Sequence, residues 1–227
     1  MANTRIGSEY RRRTATVVHA ASLCPMPTVV IPFAGVEGKT RLHASTRERR
    51  AVSLAMLADV LAAAAAVGAP RVVTADEEAA AIARELGAEI VADPGAGQGP
   101  AVAAALVDPE PGPILIVNAD VPCVVASDLR ALLAATPPGG IALVEALDGT
   151  TNALSLPGPE AFAPLYGPDS AARFRAHAAE LGLETVAVAA PNLADDVDTL
   201  DDLHRLELRC GPRTRACLHE LSAGAAR

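Results

Sequence analysis

The chain has 227 residues and a formal net charge of −8, which suits one domain of ordinary size and argues against broad electrostatic binding of nucleic acid. Tryptophan is absent and aromatic residues make up 2%, so stacking platforms for single strands are missing too. No apolar run reaches membrane-spanning length: even Leu54–Val67 is cut by Asp59 and closed by Gly68.

Four cysteines, at positions 24, 123, 210 and 217, form no C-x-x-C pair and no zinc-like spacing, as expected for reduced thiols of a cytoplasmic protein. Residues 1–27 carry Arg11-Arg12-Arg13 and a short apolar part interrupted by His19 and Ser22, a poor signal peptide. They are read as a disordered extension, or as sequence ahead of a start nearer Met26. A single domain is expected over 28–215, with 216–227 as a tail.

The first strand, Val29-Val30-Ile31-Pro32, opens into a loop that ends Gly38-Lys39-Thr40-Arg41-Leu42. A loop at the carboxyl end of the first strand of an α/β sheet is where such folds bind ligands, and free N–H groups beside two cations suit phosphates. Lys39 is the only lysine among nineteen basic residues, which points to a need for a compact ammonium. A P-loop would need glycine five residues before Gly38, where Phe33 stands, so this is not a Walker A loop.

Ser45 or Thr46 can cap a helix that carries Glu48 in its first turn and apolar residues at helical spacing up to Gly68. Pro70–Thr74 and Ala88–Val91 are predicted strands around a helix over Asp76–Leu86. A Gly-rich loop over 93–100 leads to a helix near 100–107 and then to the most apolar strand, Ile114–Val117. Further helices are expected at Ser127–Ala135, Ser170–Leu181 and, last, Leu200–Leu208, with strands at Ile141–Glu145, Ala153–Leu156 and Thr185–Ala189. Short strands without alternation, interleaved with helices, predict a mostly parallel sheet covered on both faces, an α/β three-layer sandwich.

Strand Ile114–Val117 runs into Asn118-Ala119-Asp120-Val121-Pro122. An acid at the end of a central parallel strand can hold Mg²⁺ against phosphate oxygens, or can be a turn residue or helix cap. In Asp195-Asp196-Val197-Asp198-Thr199, extended backbone would point Asp196 and Asp198 to the same side, giving two carboxylates for one metal–phosphate centre. The plainer alternative is that these acids charge a helix N-terminus, the role expected of Asp201 and Asp202. Tyr166-Gly167-Pro168-Asp169-Ser170 opens a helix with Arg173 and Arg175 one turn in, a place for an anionic acceptor.

Five segments occur together in one order: Gly38-Lys39-Thr40-Arg41-Leu42, Asn118-Ala119-Asp120-Val121-Pro122, Gly149-Thr150-Thr151-Asn152-Ala153-Leu154, Gly167-Pro168-Asp169-Ser170 and Asp196-Val197-Asp198-Thr199. In this the chain resembles the guanylyltransferases of coenzyme F420 biosynthesis, which activate 2-phospho-L-lactate or phosphoenolpyruvate with GTP. The resemblance spans roughly residues 28–215 and includes Gly211-Pro212-Arg213-Thr214. It implies a GT-A-like, nucleotide-diphospho-sugar transferase fold with Asp120, Asp196 and Asp198 as Mg²⁺ ligands. It also implies GTP contacts from Gly38, Lys39, Thr40, Arg41, Gln98 and Asn118, with Lys39, Arg41 and Asp120 catalytic. Thr151, Gly167 and Ser170 would contact the acceptor, and the next transferase of the pathway is a further partner it admits. The family's second basic residue in the first loop is replaced by Phe33-Ala34-Gly35, and its Leu-Asn pair by Gly99-Pro100, leaving Gln98 to supply the amide. A nucleotidyltransferase of the same fold for a sugar phosphate or molybdopterin, and a nucleotide-binding sensor without catalysis, are the alternatives.

Overall fold

Strand β1 (Thr28–Pro32) places Val29 and Ile31 on one face and Val30 on the other, all fully buried. Burial on both faces is why the run is continuously apolar rather than alternating. The computed structural model describes residues 25–35 and 45–225. The other strands are β2 (Ala69–Thr74), β3 (Glu89–Ala92), β4 (Ile114–Val117), β5 (Ile141–Glu145), β6 (Thr151–Leu156) and β7 (Thr185–Ala187). They form a seven-stranded sheet in the order β3-β2-β1-β4-β6-β5-β7. β6 runs antiparallel to β4 and β5, and the remaining neighbours pair in parallel. The three-layer sandwich expected from the sequence is therefore present, with β6 beginning two residues earlier and β7 ending two residues sooner than predicted.

Helices α1 (Thr46–Ala65), α2 (Glu77–Glu85), α4 (Ala126–Ala135) and the short α6 (Pro191–Ala194) cover one face of the sheet. Helices α3 (Gln98–Ala105) and α5 (Ser170–Glu180) cover the other. α1 begins where the sequence placed it: Ser45 Oγ accepts from the Glu48 N–H at 3.3 Å, and Glu48 Oε2 accepts from the Ser45 N–H at 2.8 Å. Its Leu57, Val60, Leu61 and Ala64 pack on the sheet. Val52 and Met56 face a separate cluster with Val197, Leu203, Leu206 and Leu218.

That cluster belongs to a C-terminal arm whose extent the sequence reading misses. After α7 (Leu200–Leu206) the chain does not trail off: α8 runs Pro212–Ala225, across the expected boundary at 215, and packs on α1. Pro212 opens it, as proline at a first helical position can. The cap comes from elsewhere: Asp59 of α1, 4% exposed, accepts from the N–H groups of Arg213 (3.1 Å) and Thr214 (2.8 Å). A Cβ on Gly211 would lie 2.3 Å from the Asp59 Cγ, so the close approach demands glycine. Local signals cannot reveal a cap that lies 155 residues away.

Of the expected extension, only Pro25–Pro27 are among the described residues, and the Pro27 carbonyl already accepts from the Ala69 N–H at 2.9 Å. Cys123, Cys210 and Cys217 are free thiols. Among the described residues no helix is long and apolar enough to cross a membrane.

Replacing Asp59 by Ala removes a charged acceptor from two buried or half-buried N–H groups, and should cost about 2–3 kcal/mol. Urea denaturation should show a lowered midpoint. An unchanged midpoint would mean that α8 contributes little to the fold.

Candidate active site

The connections from β1 through β3 build outward to one side, and β4 then lies on the other side of β1. The β1–β4 boundary is thus the switch point, where crossovers diverge and leave a crevice at the strands' carboxyl ends. A cleft of about 560 Å³ opens there. Phe33–Gly35 after β1, Gln98 at the start of α3, and Asn118, Asp120 and Asp198 line it, with Ser53 and Met56 of α1.

Asp120, Asp196 and Asp198 converge with a carboxylate oxygen of each within 4.8 Å of the others. Asp120 stands three positions after the last residue of β4, and its carbonyl accepts from the Val197 N–H at 2.9 Å, which lays the Asp195–Thr199 segment alongside the strand end. Alternation does the rest: Val197 turns into the apolar cluster, while Asp196 and Asp198 turn to the cleft side. The neighbouring acids have other tasks. Asp195 pairs with Arg205 (3.0 Å) and Arg209 (2.7 Å). Burial alone would raise the Asp195 carboxyl, but hydrogen bonds from the two guanidinium groups outweigh it and hold it below the ordinary range. Asp202 closes a capping box with Thr199, and so has the helix-start role expected of it.

Burial, reinforced by the charges of Asp120 and Asp198, pushes the Asp196 carboxyl up to about 6. Three carboxylates this close repel one another unless a cation joins them. The donors are all hard oxygens, with neither Cys nor His among them, which suits Mg²⁺ or Mn²⁺ rather than zinc. The residues therefore fit a divalent cation.

A chain of amides crosses the cleft floor. Gln98 Nε2 donates to Asn118 Oδ1 at 2.7 Å, and Asn118 Nδ2 donates to Asn152 Oδ1 at 3.1 Å. Asn152 Nδ2 in turn donates to the Ala194 carbonyl at 3.2 Å. Gln98 and Asn118 were expected from the sequence. Asn152 lies within the Gly149–Leu154 segment, and its bridging role depends on β6 lying next to β4.

Thr151 and Ser170 meet across the far side. Both are buried, and Ser170 Oγ donates to Thr151 Oγ1 at 3.1 Å. Their hydroxyls thus lock the turn before α5 onto β6, and the Ala171 N–H donating to the Gly149 carbonyl at 3.3 Å ties the two loops again. Gly167 has φ 114°, and a Cβ there would meet the Arg173 guanidinium at 3.3 Å. Asp169, the residue before α5, is left-handed at φ 55° and makes no side-chain cap. Arg173 donates to the Tyr166 carbonyl and Arg175 pairs with Glu145, so both arginines already have partners. Gly38, Lys39, Thr40 and Arg41 lie outside the described residues.

Solved structures agree on the fold. A protein of Desulfovibrio desulfuricans G20, described as a candidate nucleotide-diphospho-sugar transferase, superposes with a TM-score of 0.70 at 18% identity, covering 88% of this chain and 96% of that one. A 4-diphosphocytidyl-2C-methyl-D-erythritol synthase superposes with a TM-score of 0.58 at 16% identity, covering 83% and 99%. In sequence the likeness is closer. The family model "Guanylyl transferase CofC like" matches residues 27–222. The phosphoenolpyruvate guanylyltransferase of Roseiflexus castenholzii is 42% identical over 170 residues, 73% of this chain and 80% of that protein. That of Nocardia farcinica is 38% identical over 201 residues, 82% and 87%. The chain belongs to the CofC-like guanylyl transferase family.

The raised Asp196 carboxyl has a thermodynamic consequence. Without a cation it titrates near 6 in the folded protein against 3.8 for an ordinary carboxyl, so the unfolded chain releases its proton first. Between these values rising pH favours unfolding, and the contribution is lost above about pH 6. In chelator, the Asp196→Asn variant should lack this slope and exceed the parent in stability near neutral pH. Urea midpoints against pH measure it; parallel curves would show that Asp196 carries no such strain.

Proposed function

We propose that the protein transfers GMP from GTP to a small phosphorylated acid, phosphoenolpyruvate or 2-phospho-L-lactate, with release of pyrophosphate, in coenzyme F420 biosynthesis. The observation that carries this reading is the convergence of Asp120, Asp196 and Asp198 beside an amide-lined cleft at the switch point. The relatives' name favours phosphoenolpyruvate as acceptor.

The phosphate of such an acceptor is ionised at neutral pH, so it attacks the α-phosphorus without a general base. A bond forms from the acceptor oxygen to Pα as the bond from Pα to the bridging oxygen breaks, and that electron pair leaves with pyrophosphate. Asp120, Asp196 and Asp198 would hold Mg²⁺, which when bound supplies positive charge against the phosphate oxygens. Lys39 and Arg41, which follow β1 in the sequence, would meet the charge that develops on the phosphates. Gln98 spends its amide N–H on Asn118 and keeps its carbonyl oxygen, an acceptor that suits the N1–H and N2–H₂ donors of guanine.

On the acceptor side, the turn Gly167–Ser170 opens an eleven-residue helix, whose positive N-terminal end favours an anion. Thr151 and Ser170 hold that turn in place and fix the acceptor's orientation, which is most of what in-line transfer requires. The downstream transferase of the pathway is the partner that would take up the product.

The deciding assay is pyrophosphate release with GTP and Mg²⁺, supplying phosphoenolpyruvate, 2-phospho-L-lactate and 3-phosphoglycerate in turn. A parallel set includes the downstream transferase and its deazaflavin acceptor to relieve product inhibition. Release with one of the first two acids, and not with ATP or CTP, is expected. No release with any acid in either set would overturn the substrate assignment, and sugar phosphates would be the next acceptors to try. Nucleotide binding without any turnover would favour a sensor.

Asp120→Asn and Asp198→Asn should each lower kcat by about a thousandfold or more while circular dichroism stays unchanged. Variants that keep most of their activity would remove these residues from the centre. Lys39→Arg should cost roughly tenfold or more, because a planar fork cannot replace a compact ammonium. A silent substitution would remove the case for that lysine.

A further inference from the structure

Asn152 sits second in β6, 1% exposed, on a strand whose neighbours are apolar or small. A buried amide costs free energy unless its groups are paired, so such a position would ordinarily favour an aliphatic residue. Here every polar group of the side chain is used, and each goes to a different segment. Oδ1 accepts from Asn118 at 3.1 Å, and Nδ2 donates to the Ala194 carbonyl at 3.2 Å.

Chemistry fixes the direction of this amide. A backbone carbonyl can only accept, so the NH₂ of Asn152 must face Ala194 and its oxygen must face Asn118. Asn118 then has to offer its own NH₂ to Asn152 and its oxygen to Gln98, as observed. The polarity of the whole chain is set from the Ala194 end.

The placement matters because the carboxylates arrive on two separate arms. Asp120 is carried two residues beyond Asn118, at the end of β4. Asp196 is carried two residues beyond Ala194, the last residue of the four-residue helix α6. Asn152 grips both arms: the Asn118 N–H donates to its carbonyl at 2.9 Å, and its side chain holds Asn118 and Ala194. On the outer side the Asp196 arm is anchored by Asp195 to Arg205 and Arg209.

We propose that Asn152 is a positioning residue for the cation centre: its side-chain amide sets the separation of Asp196 from Asp120, and through it the affinity for a divalent cation, without contact with either substrate. This rests on the assignment of the three carboxylates as a metal site. Outer groups that orient ligands in this way typically change metal affinity by 10–100-fold when removed.

The test is Mn²⁺ binding to the full chain, followed by electron paramagnetic resonance, together with the Mg²⁺ dependence of pyrophosphate release. Asn152→Ala should weaken Mn²⁺ binding by about tenfold or more and raise the Mg²⁺ needed for half-maximal turnover in step. At saturating Mg²⁺ its kcat should return to within about threefold of the parent, with KM for the acceptor unchanged; loss by mere structural damage would not be recovered by metal. Asn152→Ser keeps one donor in a smaller side chain, and should fall between the two; it decides the matter if the Ala variant does not fold. Unchanged Mn²⁺ affinity in a folded variant would overturn the positioning role alone, provided Asp196→Asn abolishes binding. If Asp196→Asn also binds Mn²⁺ as the parent does, the metal assignment itself falls.

Discussion

Three carboxylates within 4.8 Å of one another are the constraint on which the rest of the structure depends. Left to themselves they would separate, since like charges at this range in a half-buried setting repel strongly. Among the described residues, the fold keeps them together by holding backbone. The Val197 N–H binds the Asp120 carbonyl, Thr199 and Asp202 cap the following helix, and Asp195 is clamped by two arginines. Burial, with the charges of Asp120 and Asp198 added to it, raises the Asp196 carboxyl. A site held under this electrostatic load is preorganised for a cation and for the phosphates that come with it.

The framework around that load has a long reach. The Asp195–Thr199 segment is supported by α7, whose Leu203 and Leu206 pack with Val52 and Met56 of α1. The Gly211 N–H donates to the Pro122 carbonyl at 2.8 Å, just beyond Asp120, and α8 is then capped by Asp59 in the middle of α1. The C-terminal arm thus returns to brace the loop that carries the first carboxylate. The chain from Gly211 onward is part of the scaffold of the cleft, because its anchors lie on α1 and at the end of β4.

Much of the fold was legible in the residues. Unbroken apolar runs such as Ile114–Val117 identify strands buried on both faces, and Ser45 with Glu48 marks a helix start, because these signals are local. The spacing of Asp196 and Asp198 likewise implied a shared side, and the structure brings both to Asp120. What escaped the sequence was non-local. Asp59 reads as an interruption of an apolar run until its partners on α8 are known. Thr151 and Ser170 were expected at an acceptor site, but their mutual hydrogen bond depends on the β6 register and the turn before α5.

By itself, then, the sequence determined the alternation of strands and helices, the mostly parallel three-layer class and which acids could share a face. Each follows from periodicity and short-range capping, which act within a few residues. Only the tertiary structure decided that β6 inserts antiparallel beside β4, that Asn152 therefore bridges the two carboxylate arms, and that Asp195 is spent on arginines while Asp196 is not. Those outcomes turn on which segments become neighbours in space, and a buried polar group takes its role from the partners it meets there.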